Sequence, residues 1–243
     1  MANRFGSGAL QRLVDDLRST HGDNLVSVVL YGSAAAGETA EWRTDYNLLV
    51  ALNSITPADL RAAQAPTREW QKLGHPLPVY FTAGELLDAA DVFPIEFQRM
   101  ANARKILFGA DPFTGLELSN AHLRHQTEYE LRSKLIQLRR LYIPASLSTK
   151  KLVDLMCQSL LSFSDLFRAV LLLLGSEAPV TQAECVGLTA EKLGLDPAPF
   201  TRILSLGESA DEPSLSDAEA NELFGNYLTQ IESVITAVDQ IAE

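Results

Sequence analysis

The run Leu25-Val26-Ser27-Val28-Val29-Leu30-Tyr31 constrains the fold more than any other stretch of the chain. β-Branched and apolar residues fill it almost continuously, as in a buried strand. It ends at Gly32-Ser33, and small residues follow as far as Gly37. A glycine there lets a ligand approach the backbone with no side chain in the way. The amides at a helix start, with the Ser33 hydroxyl, can hold phosphate oxygens.

Other elements group around this strand. Ala9 to Thr20 carries Leu10, Leu13, Val14 and Leu17 at helical spacing, and His21-Gly22-Asp23-Asn24 stops it. Tyr46 to Leu52 reads as a second strand. Thr56 is placed to cap a helix with Pro57 at its first position, running to about Leu73. Gly74-His75-Pro76-Leu77-Pro78 breaks that helix, and Val79-Tyr80-Phe81 is a short strand. Thr82-Ala83-Gly84-Glu85 has the capping-box pattern. Pro94 begins a helix through Met100, and Arg104 to Phe108 is a strand closed by Gly109.

Asp111-Pro112-Phe113-Thr114-Gly115 is rich in turn residues and marks a domain boundary, dividing the chain into 1–112 and 113–243. Beyond it no strand signal of weight remains. His122 to Tyr142 keeps Leu131, Leu135, Leu138 and Leu141 on one stripe. Ser148 to Leu174 is a second long helix. Thr181 to Glu184 and Ser216 to Glu219 start two more. The predicted class is α+β: an N-terminal mixed sheet with helices, then an α-helical bundle of four or five helices.

Eleven residues separate Ser33 from the run Asp45-Tyr46-Asn47-Leu48-Leu49-Val50. Alternation along a strand puts positions 45 and 47 on one face. Two oxygen ligands two residues apart can share a divalent ion. Gly-Ser at a strand end, a gap of this length and an acidic residue opening the next strand resemble the DNA polymerase β-like nucleotidyltransferase superfamily. The resemblance runs to about Gly109. The helical second half is similar to that of small bacterial members that adenylylate antibiotics, and of bacterial nucleotidyltransferase domain-containing proteins.

The resemblance implies transfer of a nucleoside monophosphate from a nucleoside triphosphate to a small-molecule or protein acceptor, assisted by Mg²⁺ held on carboxylates. Carried over, Gly32 and Ser33 hold the triphosphate, and Asp45 is catalytic and a metal ligand. Asn47 takes the second metal-ligand position. There the pattern departs from the family, because asparagine offers a neutral oxygen. The third carboxylate of the family belongs on a later strand, and Val79-Tyr80-Phe81 contains no acid. Glu85, Glu96, Glu128 and Glu130 are the candidate substitutes. The incomplete set leaves two readings: an enzyme with an altered metal set, or a catalytically inactive module that binds a nucleotide or a partner.

Other side chains point to bland roles. His122 and His125 stand three apart beside Glu128, but two further metal ligands in a recognisable pattern are missing. His21 and His75 are read as exposed loop residues. Arg43 reads as a loop cation, and Trp42 and Trp70 as packing residues. Ser33 lacks the G-x-S-x-G context of a hydrolase nucleophile.

The net charge is -11 over 243 residues. Residues 1–116 carry 10 Lys and Arg against 13 Asp and Glu, whereas residues 117–243 carry 10 against 18, with no cation after Arg202. Such a surface repels phosphate backbones and disfavours nucleic-acid binding. Cys157 and Cys185 read as small core residues without a disulfide framework. The opening residues lack the apolar core of a secretory signal, and the longest greasy run, Ala169 to Leu174, is too short to span a bilayer. A cytoplasmic protein without membrane partners is expected, with an oligomer compatible.

Overall fold

A computed structural model of the chain describes residues 3–36, 46–177, 179, 181–208 and 215–241. The chain divides into two compact units, Met1–Leu118 and Ser119–Glu243.

The first unit runs α1 (Asn3–His21), a 3-10 turn (Gly22–Asn24), β1 (Leu25–Tyr31), α2 (Ser33–Ala36), β2 (Asn47–Leu52), α3 (Pro57–Ala62) and α4 (Gln64–Lys72). It continues with β3 (Val79–Thr82), α5 (Ala83–Asp88), α6 (Pro94–Asn102) and β4 (Arg104–Gly109). The strands form one mixed sheet in the order β3-β2-β1-β4. β1 is antiparallel to β2 and β4, and β2 is parallel to β3.

Period-two alternation sorts the strand residues into two cores. On one face Val28, Leu30, Leu48, Val50 and Leu52 pack against Leu13, Val14 and Leu17 of α1 and Trp70 of α4. On the other, Val29, Leu49 and Ala51 meet Leu86 of α5 and Phe97 and Met100 of α6. Both faces of β1 and β2 are therefore covered, which is why their sequences read as apolar runs. Each such large side chain contributes roughly 1.5–3 kcal/mol by leaving water.

The helix expected from Thr56 to Leu73 is instead two helices meeting at Ala63. Pro66 has no amide to donate to the carbonyl of Ala62, so the ladder cannot pass this point unbroken. The Thr56–Asp59 and Thr82–Glu85 pairs both form reciprocal capping boxes.

Past Gly109 the chain stays with the sheet longer than its turn-rich composition suggests. The Asp111 carboxylate accepts the Phe113 amide at 3.0 Å. Phe113 is buried, and Leu116 and Leu118 pack into the same core. The first unit therefore includes residues beyond Pro112 and closes at Leu118.

The second unit contains α7 (Asn120–Ala145), α8 (Thr149–Leu173), α9 (Gln182–Leu193), α10 (Ala198–Glu208) and α11 (Asp217–Asp239). α8 is the hub, burying Leu152, Met156, Leu160, Phe163 and Phe167. Fully buried Tyr227 of α11 shares a 3.0 Å hydrogen bond with Ser159. On α7 the inward stripe is Leu131, Leu135, Leu138 and Ala145, and Leu141 is 46% exposed. The stripe steps by four after Leu138, so Tyr142 takes the inward place. Its ring stacks on Phe224 at 4.1 Å, and its hydroxyl donates to Asn221 at 2.7 Å.

Although Ala169 to Leu174 is short, the whole of α8 is long and apolar enough to cross a bilayer by length and composition, with 50% of its most apolar window buried inside the protein. That share suits the central helix of a bundle.

Candidate functional site

The Gly32-Ser33 turn lies at the end of β1, where three strands converge. Tyr31 pairs with Asn47 on β2 and with Arg104 on β4. Gly32 follows with φ +80°, a conformation that side-chain-bearing residues rarely adopt. Its amide donates to the carbonyl of Ala103 at 2.9 Å, and its carbonyl accepts the Ala35 amide at 2.9 Å. Gly32 thus ties the end of α6 to the sheet and closes the first turn of α2. A Cβ placed on Gly32 would stand 3.6 Å from Asn47 Nδ2. The structure therefore brings Gly32 and Asn47 together. The backbone of Ser33 opens α2 next to them. The Ser33 side chain and all of Asp45, Trp42 and Arg43 lie outside the described residues.

Alternation assigns the faces. Tyr31 packs on the core beneath α5 and α6, and Asn47 shares that face with Leu49 and Ala51. Tyr46 points to the opposite face, where its ring lies 6.0 Å from Trp70 and 5.0 Å from His75. Trp70 and His75 stand 4.3 Å apart, and Trp70 Nε1 donates to the Pro76 carbonyl at 3.0 Å. This cluster fixes the entry of β2 and hence the position of Asn47. It also makes His75 half-buried rather than an exposed loop residue. His21 departs further from expectation. It closes α1 and is only 7% exposed, with its ring 6.0 Å from Tyr80.

Among the described residues, the Arg104–Asp111 ion pair lies beside Tyr31 on the Asn47 face. Arg104 donates to both oxygens of Asp111, at 3.3 and 3.0 Å from Nε and 2.7 Å from Nη2. It also bonds the Ala101 carbonyl and lies over the Phe113 ring at 5.6 Å. Burial raises the pKa of Tyr31, and the Arg99 charge opposes that rise. The helix α6 was legible in the sequence, but only its docking on β1 shows that its end reaches Gly32.

The described residues do not fit a two-carboxylate metal site. Asn47 offers one neutral oxygen, and β3 beside it contains no acid. Among the described residues no group of three or more His, Cys, Asp or Glu could hold an ion. Glu85 is occupied as a cap, accepting the Thr82 amide at 2.7 Å. It follows β3, whose Thr82 pairs with Leu52, the far end of β2 from Asn47. Five strand steps put that end about 16 Å away. Glu96 is exposed on α6, and Glu130 is half-buried on α7. Glu128 is engaged by Arg124 at 3.3 Å and Arg132 at 2.7 Å. His122 and His125 are exposed on α7, as a surface helix start would place them.

No protein-family model matches the sequence, and no curated protein does. Among solved structures, the chain is similar to spectinomycin adenyltransferase AAD(9) from Enterococcus faecialis, whose crystal structure holds ATP and spectinomycin. The identity is 12% and the TM-score 0.55, with 93% of this chain and 99% of that chain covered. At this identity the likeness concerns the fold. The chain shares that protein's fold, a small mixed-sheet unit succeeded by a helical one.

Proposed function

We propose that this protein binds a nucleoside triphosphate at the Gly32–Asn47 end of the sheet. One observation carries the reading: a left-handed glycine at the end of β1 leaves the Asn47 side chain as its neighbour, with the start of α2 alongside. In this reading Ser33 and the following amides hold phosphate oxygens, and Gly32 keeps the approach clear. Asn47 contributes an amide in place of a carboxylate, so it can donate a hydrogen bond to a phosphate oxygen that an aspartate would repel. The protein is read as cytoplasmic.

The test is a thermal shift with ATP. Ligand at a hundred times its Kd stabilises a folded protein by about 2.7 kcal/mol. Wild type should show such a shift, and Asn47→Leu, folded by circular dichroism, should lose most of it. A wild type indifferent to millimolar ATP would contradict the proposal.

A second reading is transfer of the nucleotidyl group to a small-molecule or protein acceptor. It is favoured by the similarity to an enzyme crystallised with both ATP and an antibiotic. Mg²⁺ on carboxylates would supply acidity at the acceptor hydroxyl and charge at the leaving pyrophosphate. Asp45 is the residue on which that reading depends. Acceptor-dependent pyrophosphate release, abolished by Asp45→Ala, would support it.

A further inference from the structure

Helix α7 buries one apolar stripe and leaves a second one bare. Leu131, Leu135 and Leu138 face the bundle. Tyr129, Ile136 and Ile143 stand seven residues apart on the other side, and they are 68%, 58% and 71% exposed. Positions spaced by seven drift only about 20° around a helix per step, so the three share one face. Leu147, in the turn before α8, follows Ile143 and is 88% exposed. Large apolar side chains on a surface are normally scattered singly, and a row of them marks a contact. The flanking charges are mostly satisfied within the chain. Arg132 is held by Glu128 at 2.7 Å and Arg139 by Glu232 at 2.6 Å. Arg140 is the one cation flanking the row that has no ion pair among the described residues.

We propose that this row is the contact between two copies of the chain, their α7 helices antiparallel about a twofold axis at Ile136. Equal spacing makes the row self-complementary, as a twofold contact requires. The axis sets Ile136 against its own copy and Tyr129 against the partner's Ile143, so every apolar position of the helix row meets another. The charges choose the direction. In an antiparallel pair each flank faces its own counterpart, which places the unpaired Arg140 beside the partner's Ser133. Arg132 then lies beside the partner's Arg139, and each of these arrives with its own carboxylate. A parallel pair would instead set the unpaired Arg140 beside the partner's Arg139, a like charge that disfavours the contact.

The experiment is light scattering behind size exclusion, on wild type and Ile136→Glu, between micromolar and millimolar concentration. Because the side chain is exposed, both should fold alike, and circular dichroism checks this. Wild type should have the mass of two chains. Ile136→Glu, which sets two carboxylates across the axis, should weaken the dimer by about a hundredfold or more and run as one chain. Disulfide capture then tests the direction in a Cys157→Ser background. Ile136→Cys should link two copies under mild oxidation. Ile143→Cys should not, because an antiparallel pair holds the two copies of position 143 about 21 Å apart, beyond the reach of a disulfide. A wild type that stays monomeric at millimolar concentration, an Ile136→Glu that still dimerises, or capture at position 143 as ready as at 136 would overturn the proposal.

Discussion

Gly32 and Asn47 are neighbours across the β1–β2 ladder: a methyl group added to the glycine would stand 3.6 Å from the asparagine amide nitrogen. The contact distance itself is ordinary, so space does not forbid a side chain at position 32. The backbone does, because φ is +80°. Gly32→Ala should cost about 1–2 kcal/mol from the left-handed conformation alone. Urea unfolding of the two proteins measures this, and no loss of stability would show that the turn adopts another conformation.

Gly109 is the harsher case. It also has a positive φ, and a Cβ there would meet the Val26 carbonyl oxygen at 1.9 Å. Strand β4 would have to leave β1 to accept it. Gly109→Ala should therefore lose about 3 kcal/mol or more, combining strain with overpacking. A melting temperature close to wild type would contradict the register of β1 on β4.

His21 predicts a pH dependence. Burial lowers its pKa below the usual 6.5, with the Asp59 charge partly offsetting that effect. Neither ring nitrogen has a hydrogen-bond partner among the described residues. A depressed value in the fold means that the unfolded chain takes up the proton first. The associated stability is complete above pH 6.5 and is lost as pH falls through 6.5 toward the folded value, with a slope of at most about 1.4 kcal/mol per pH unit. Urea midpoints between pH 5 and 8 should fall on the acid side for wild type and fall less for His21→Phe. Equal profiles would show that His21 does not titrate as described.

Cysteine reactivity should separate the two thiols. Cys185 is fully buried, and burial, aided by Asp165 and opposed by Arg168, pushes its pKa up to about 11. Cys157 is half-buried, and burial and Asp154 raise it as well. At pH 8 the native protein should leave Cys185 unlabelled by a thiol reagent, while Cys157 labels slowly and both label in urea. Peptide mapping reads the result, and rapid native labelling of Cys185 would contradict the packing of α9 on α8.

Much of the fold was legible because its signals are local. The Leu25–Tyr31 run, the Thr82–Glu85, Thr181–Glu184 and Ser216–Glu219 boxes and the apolar stripes of α7 and α8 all declare themselves within a few residues. What was hidden depends on packing at a distance. His21 looked like a loop residue because only tertiary contact with the Tyr80 side of the sheet buries it. Leu141 looked inward until the stripe shifted to Tyr142. Pro66 broke a helix whose apolar pattern continued. The Gly32 and Asn47 neighbourhood could be anticipated from strand order and spacing, whereas the contact of Gly32 with Ala103 could not, since no local pattern says which strand end α6 will reach.

The most direct test of the account is isothermal titration of a non-hydrolysable ATP analogue into wild type and Asn47→Asp, each with and without Mg²⁺. The account predicts that wild type binds, and that Asn47→Asp binds more weakly without the metal than with it, because the new carboxylate repels phosphate unless a cation offsets its charge. Wild type that binds in neither condition would contradict it.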